Sequence, residues 1–139
     1  MAEVFNKGLA VNKIEIPWWL AVIIVIEILP MFLGPLFALT NPRFIGGPEA
    51  TTIGFAALLY SARNISIGIA FIVAFLLKNG PMLFILIFIR LITDFFDLPI
   101  FLAMGPVANE ARAILIFVIF YYLPAFIALR FLWQQISQR

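Results

Sequence analysis

Five ionisable side chains interrupt stretches of sequence that are otherwise almost wholly apolar: Glu27, Arg63, Arg90, Asp94 and Asp97. An arginine keeps its charge when buried, whereas a carboxyl group can take up a proton. Two arginines against three carboxylates leave one acid in surplus, and that acid is protonated, hydrated or waiting for a cation. Proton relays and cationic ligand sites use such a surplus. Buried Arg–Asp pairs can equally do no more than fix which helices pack together, and a network of this kind can also be completed by another subunit. The residues alone leave these three readings open. Each charge at the centre of a bilayer costs roughly 2.5–3.5 kcal/mol on insertion scales, so the five groups are expected to pair with one another in a shared interior.

Spacing points the same way. Arg90, Asp94 and Asp97 follow an i, i+4, i+7 pattern and so line one helix face. Counted from the expected outer helix ends, Glu27, Arg63 and Asp94 each lie about ten residues in, which at about 1.5 Å per residue puts them within roughly one turn of a common level. Arg90 falls about a turn deeper and Asp97 about a turn nearer the outside, with Tyr121 close to the level of Asp97. Asn64 follows Arg63 directly and belongs to a stripe of small and polar residues (Gly54, Ala57, Ser61, Asn64, Gly68) that recurs at steps of three and four. Such a stripe allows close approach of helices and hydrogen bonds between them. Tyr121 and Tyr122 bring hydroxyls that can donate to a quinone or a carboxylate, or simply pack with the hydroxyl beside a polar partner.

The elements that must position these groups are membrane helices. The chain has 139 residues, 65% apolar and 12% charged, with a mean hydropathy of +1.13. No polar surface can be drawn from that composition, whereas apolar runs of about 20 residues are the signature of bilayer helices. The expected fold is all-α: an integral membrane four-helix bundle, a single transmembrane domain over residues 1–139, with helices at roughly 17–39, 51–77, 82–104 and 112–133. Residues Met1 to Ile16 are expected at the membrane surface. Pro17 opens the first span, with Trp18 and Trp19 as interface anchors and a kink expected at Pro30 and Pro35. That span carries Glu27 and is too long for a removable signal peptide. A turn-rich loop runs from Thr40 to Glu49, Lys78-Asn79-Gly80-Pro81 forms a tight turn with Gly80 just after a helix end, and Asn109 and Glu110 cap the last helix. Lys7, Lys13, Lys78, Arg130 and Arg139 gather on one side against Arg43 and Arg112 on the other, so both termini are expected in the cytoplasm.

Several chemistries are removed by composition. Without cysteine or histidine there are no disulfides, zinc fingers, iron–sulfur clusters, His-ligated haem or Ser–His catalysis. No metal site and no cofactor of the chain's own is expected, since only carboxylates remain as ligands. A net charge of +2 does not argue for nucleic acid.

The middle of the chain resembles the DoxX-like group of small bacterial four-helix membrane proteins. The resemblance rests on Asn41-Pro42, Phe44 and Gly46-Gly47-Pro48, then on Ser61-Ala62-Arg63-Asn64-Ile65-Ser66-Ile67-Gly68, which looks like the group's Gly-x-Arg-Asp-x-x-Leu-Gly pattern with Ser61 and Asn64 departing from it. Arg90 through Asp97 looks like the later, aspartate-bearing segment. The resemblance implies a four-helix bundle in the bacterial inner (plasma) membrane, and some members of the group are subunits of thiosulfate–quinone oxidoreductases. Three functions are therefore expected to compete. The first is an accessory subunit of a membrane complex, with other membrane subunits or further copies as partners and a quinone or small amphipathic molecule as candidate ligand. The second is a small-molecule or proton-linked transporter or ligand-binding protein using the Glu/Arg/Asp cavity. The third is a membrane-embedded acid–base enzyme acting on a lipid-like substrate, for which no residue pattern singles out a reaction.

Overall fold

The computed structural model describes residues 13–104 and 110–138; Lys7, Gly105-Pro106, Asn109 and Arg139, and most of the expected surface segment at the N-terminus, lie outside them. All the regular elements among the described residues are helices. In a bilayer, apolar segments of this length must satisfy their backbone polar groups internally, and the helix does so. Helix α1 is Trp18–Thr40, a short α2 is Pro42–Gly46, α3 is Phe55–Leu76 and α4 is Gly80–Met104. A last rod comprises α5 (Glu110–Phe117), a π-helical segment (Val118–Tyr122) and α6 (Leu123–Ser137). Three helical stretches, Trp18–Thr40, Phe55–Leu76 and Ile114–Ser137, are long and apolar enough to cross a membrane. At 25 residues α4 is also long enough, but Arg90, Asp94 and Asp97 sit in it.

Several boundaries differ from the sequence reading. Pro17 stands just outside α1, extended at ψ 155°, and its carbonyl accepts from the N–H of Ala21. Helix α1 runs on through Pro30 and Pro35 to Thr40. Helix α3 starts at Phe55 rather than near Thr51, with Gly54 in an extended conformation before it. The last helix extends to Ser137 and widens into a π segment next to Pro124, which has no N–H to offer the Phe120 carbonyl.

The tight turn between α3 and α4 is built differently from expectation. Lys78, not Gly80, takes the left-handed conformation, at φ 51°. The N–H of Lys78 donates to the Phe75 carbonyl and that of Asn79 to the Ala74 carbonyl, a Schellman closure. The Asn79 side chain then accepts from the N–H of Met82 at 3.1 Å and caps α4. Gly80 is the first residue of α4, and its role is close approach, since a Cβ there would lie 2.7 Å from Ile14 Cγ2. Ile14 is buried and its N–H donates to the Lys78 carbonyl at 2.9 Å. Lys13 and Lys78 are thereby held at the same end of the molecule, opposite the end where α1 hands over to α2.

Helix α1 packs chiefly on α3 and α4 on α6, with lighter α3–α4 and α1–α6 contacts. The α1 stripe is Leu20, Ile24, Glu27, Met31, Pro35 and Ala38; the α3 stripe is Ala57, Ser61, Asn64, Gly68, Phe71 and Ala74. Gly68 lets the two approach, for a Cβ there would lie 2.9 Å from the Phe32 ring and 3.1 Å from Met31 Cβ. Leu20, Ile24, Phe71, Leu83, Ile87, Ala128 and Leu132 form an apolar core toward the α3–α4 turn. The polar groups lie on the other side of that core, while Phe55, Leu76, Phe95, Phe96 and Phe126 are among the large apolar side chains left on the outside.

Candidate functional site: a buried acid–arginine trio and a flank ion pair

On α4 the buried stripe begins with Leu83 and Ile87 and continues through Arg90, whose side chain is 12% exposed, to the buried Asp94. The same helical face that supplies apolar packing near the turn thus delivers charges one and two turns further on. Arg90 Nη2 contacts Asp94 Oδ1 at 2.7 Å, within one helix at i, i+4. Its Nε faces Glu27 Oε2 across the α1–α4 space at 4.0 Å. Glu27 and Asp94 are 1% and 3% exposed. Neither Glu27 oxygen has a hydrogen-bond partner, and Arg90 Nε has none either.

The other two charges are not part of this trio. Arg63 Nη2 stands 3.8 Å from Asp97 Oδ2, with the side chains 53% and 41% exposed. The five groups expected in one interior therefore divide into a buried trio (Glu27, Arg90, Asp94) and an ion pair on the flank of α3 and α4. The division follows from the arc of each helix. Arg63 is one position before the buried Asn64 and is carried off the stripe, while Asp97 lies three residues beyond the buried Asp94 and is part-exposed.

Asn64 is buried, but its amide donates to the Tyr60 carbonyl on its own helix at 2.8 Å. Ser61 does the same with the Ala57 carbonyl at 2.8 Å. The small polar stripe thus gives close packing, while these two side chains bond back to their own helix, as short polar side chains in helices often do. Tyr121 and Tyr122 both lie in the π segment, part-buried. Tyr122 donates its hydroxyl to the Asp94 carbonyl at 3.0 Å, tying the last helix to the turn of α4 that carries the buried acid. Tyr121 packs against Phe117 at 5.3 Å between ring centres.

Tyr60 is the residue that sequence reasoning passed over. Its hydroxyl rests against Gly34, where no Cβ could be accommodated without movement. With Ala56, Leu59 and Arg63 it lines an open groove of about 470 Å³ on the flank of α3. Tyr60 precedes Arg63 and Asn64 by about one helical turn on α3. Its spacing of three from Arg63 and four from Asn64 was the available signal.

Among the described residues, no three carboxylates converge in a way that could hold a metal ion. No family model, no curated protein and no solved structure matches the chain.

Proposed function

We propose that the chain is a four-helix transmembrane bundle, multi-pass in the bacterial inner membrane with both termini cytoplasmic, and that it serves as a non-catalytic subunit of a membrane assembly. The observation that supports this reading is the flank pair. Arg63 lies eight residues into α3 and Asp97 seven before the end of α4, which is about 10–12 Å along the helix axes. At that depth hydrocarbon gives no solvation to a half-exposed ion pair, whereas a second chain packed over it does. The resemblance to the DoxX-like group agrees with a quinone-linked assembly. Native mass spectrometry of the protein extracted gently from its own membranes tests the reading. A fixed stoichiometric complex, lost on Arg63→Ala, is expected; a lone monomer would overturn it.

A second reading is favoured by the groove. Tyr60 and Arg63 could orient a quinone or another small amphipathic molecule, with Ala56 and Leu59 against its apolar body. A small bound mass that co-purifies with wild type and is lost in Tyr60→Phe and Arg63→Ala supports ligand binding; a mass retained in both variants sinks it.

A further inference from the structure

Charge and geometry within the trio do not balance if all three groups are ionised. Arg90 is its one cation, and the guanidinium is committed to Asp94 at 2.7 Å on the neighbouring turn of the same helix. Glu27 receives only the far side of that group, at 4.0 Å and without a hydrogen bond. An ionised Glu27 would be a net negative charge, 1% exposed, with no donor on either oxygen. A buried charge in that condition is among the most costly arrangements a fold can hold.

We infer that Glu27 is a proton-binding site, its carboxyl carrying at neutral pH the one proton that makes the Glu27–Arg90–Asp94 trio electrically neutral. The groups around it are consistent with this assignment from each element. Helix α4 presents Arg90 and Asp94, with Asp97 a turn beyond and paired to Arg63 of α3. Helix α3 packs on α1 with the neutral Asn64 in its buried stripe, whose amide is bonded to its own helix. The π segment carries Tyr121 and Tyr122, part-buried neutral hydroxyls, the second of them bonded to the Asp94 carbonyl. None of these offers Glu27 a second cation. With Asp94 as the permanent counter-ion of Arg90, the proton on Glu27 is the variable charge of the trio.

The test is an isotope-difference infrared measurement on the wild-type chain in bilayers at neutral pH, in which the lipid carbonyl bands cancel. The protein is prepared once with ¹³C in the glutamate side-chain carboxyls and once with ¹³C in the aspartate ones. The expected result is the carbonyl stretch of a protonated carboxylic acid that moves with the glutamate label, stays with the aspartate label, and is missing from Glu27→Gln. If that variant does not fold, Glu27→Asp takes its place, and the band must then leave the glutamate label for the aspartate one. No protonated-acid band, a band that follows the aspartate label in wild type, or a glutamate band that survives removal of Glu27 would each overturn the assignment.

Discussion

Arg90 can meet one carboxylate at bonding distance, and the helix it sits on decides which. Asp94 is one turn away on the same backbone, so that pair needs no interhelical adjustment, while Glu27 must be reached across a helix interface. Removing Asp94 takes the close partner from the guanidinium and leaves Glu27, 4.0 Å away, to ionise in its place, so Asp94→Ala is expected to lower stability by about 1.5–3 kcal/mol, the worth of a hydrogen bond to a charged group. Asp97→Ala removes one half of a part-exposed pair 3.8 Å apart and is expected to cost about 1 kcal/mol or less in detergent. Glu27→Gln replaces a neutral acid by a neutral amide of similar shape and should stay within about 1 kcal/mol of wild type. Unfolding of the three variants in one detergent, followed by circular dichroism, ranks them; equal losses at Asp94 and Asp97 would contradict the division into trio and flank pair.

Helix ends and helix contacts carry their own consequences. Lys78 holds a left-handed conformation that costs a side-chain-bearing residue about 1–2 kcal/mol. Lys78→Gly is therefore expected to stabilise the turn by about 1 kcal/mol, read as a raised unfolding midpoint, and an unchanged or lowered midpoint would argue against the Schellman closure. Gly68→Leu meets the opposite fate. A Cβ alone already presses on Phe32 and Met31, and the larger side chain should overpack the α1–α3 contact and cost about 1–3 kcal/mol. A Leu variant as stable as wild type would place the two helices further apart than they stand. The π segment beside Pro124 belongs to the same scale: the missing N–H widens one turn, and that turn holds the tyrosine that reaches Asp94.

At the scale of the whole molecule, the absence of native cysteine makes single cysteine substitutions clean reporters. If the flank of α3 is an interface, Leu59→Cys, beside the Arg63–Asp97 pair, should cross-link to a neighbouring chain in native membranes. Phe126→Cys, on an exposed position of α6, serves as the comparison, and equal cross-linking at both positions would remove the case for an assembly face. Orientation is read with a membrane-impermeant maleimide on right-side-out spheroplasts. Labelling is expected at Arg43→Cys but not at Lys78→Cys, and the reverse pattern would invert the topology.

Helical class and the approximate location of the long apolar segments were legible in the sequence, because runs of apolar residues in a bilayer leave the backbone no alternative to the helix. The close-packing stripe on α3 was legible for a related reason: one helix face is a matter of spacing alone, and Ala57, Ser61, Asn64 and Gly68 repeat at that spacing. The five ionisable residues were also visible as a set, as anomalies in apolar surroundings. Their pairing was not. Whether Arg90 meets Glu27 or Asp94, and whether Arg63 turns inward or onto the flank, depends on the rotation of each helix about its axis, and a shift of one residue turns a side chain by about 100°. Tyr60 was hidden for the same reason, since its contact with Gly34 exists only once α1 and α3 are docked. Sequence by itself determined which residues had to find partners; tertiary structure decided which partners they found, because helix rotation and depth are set by the packing of all the faces together.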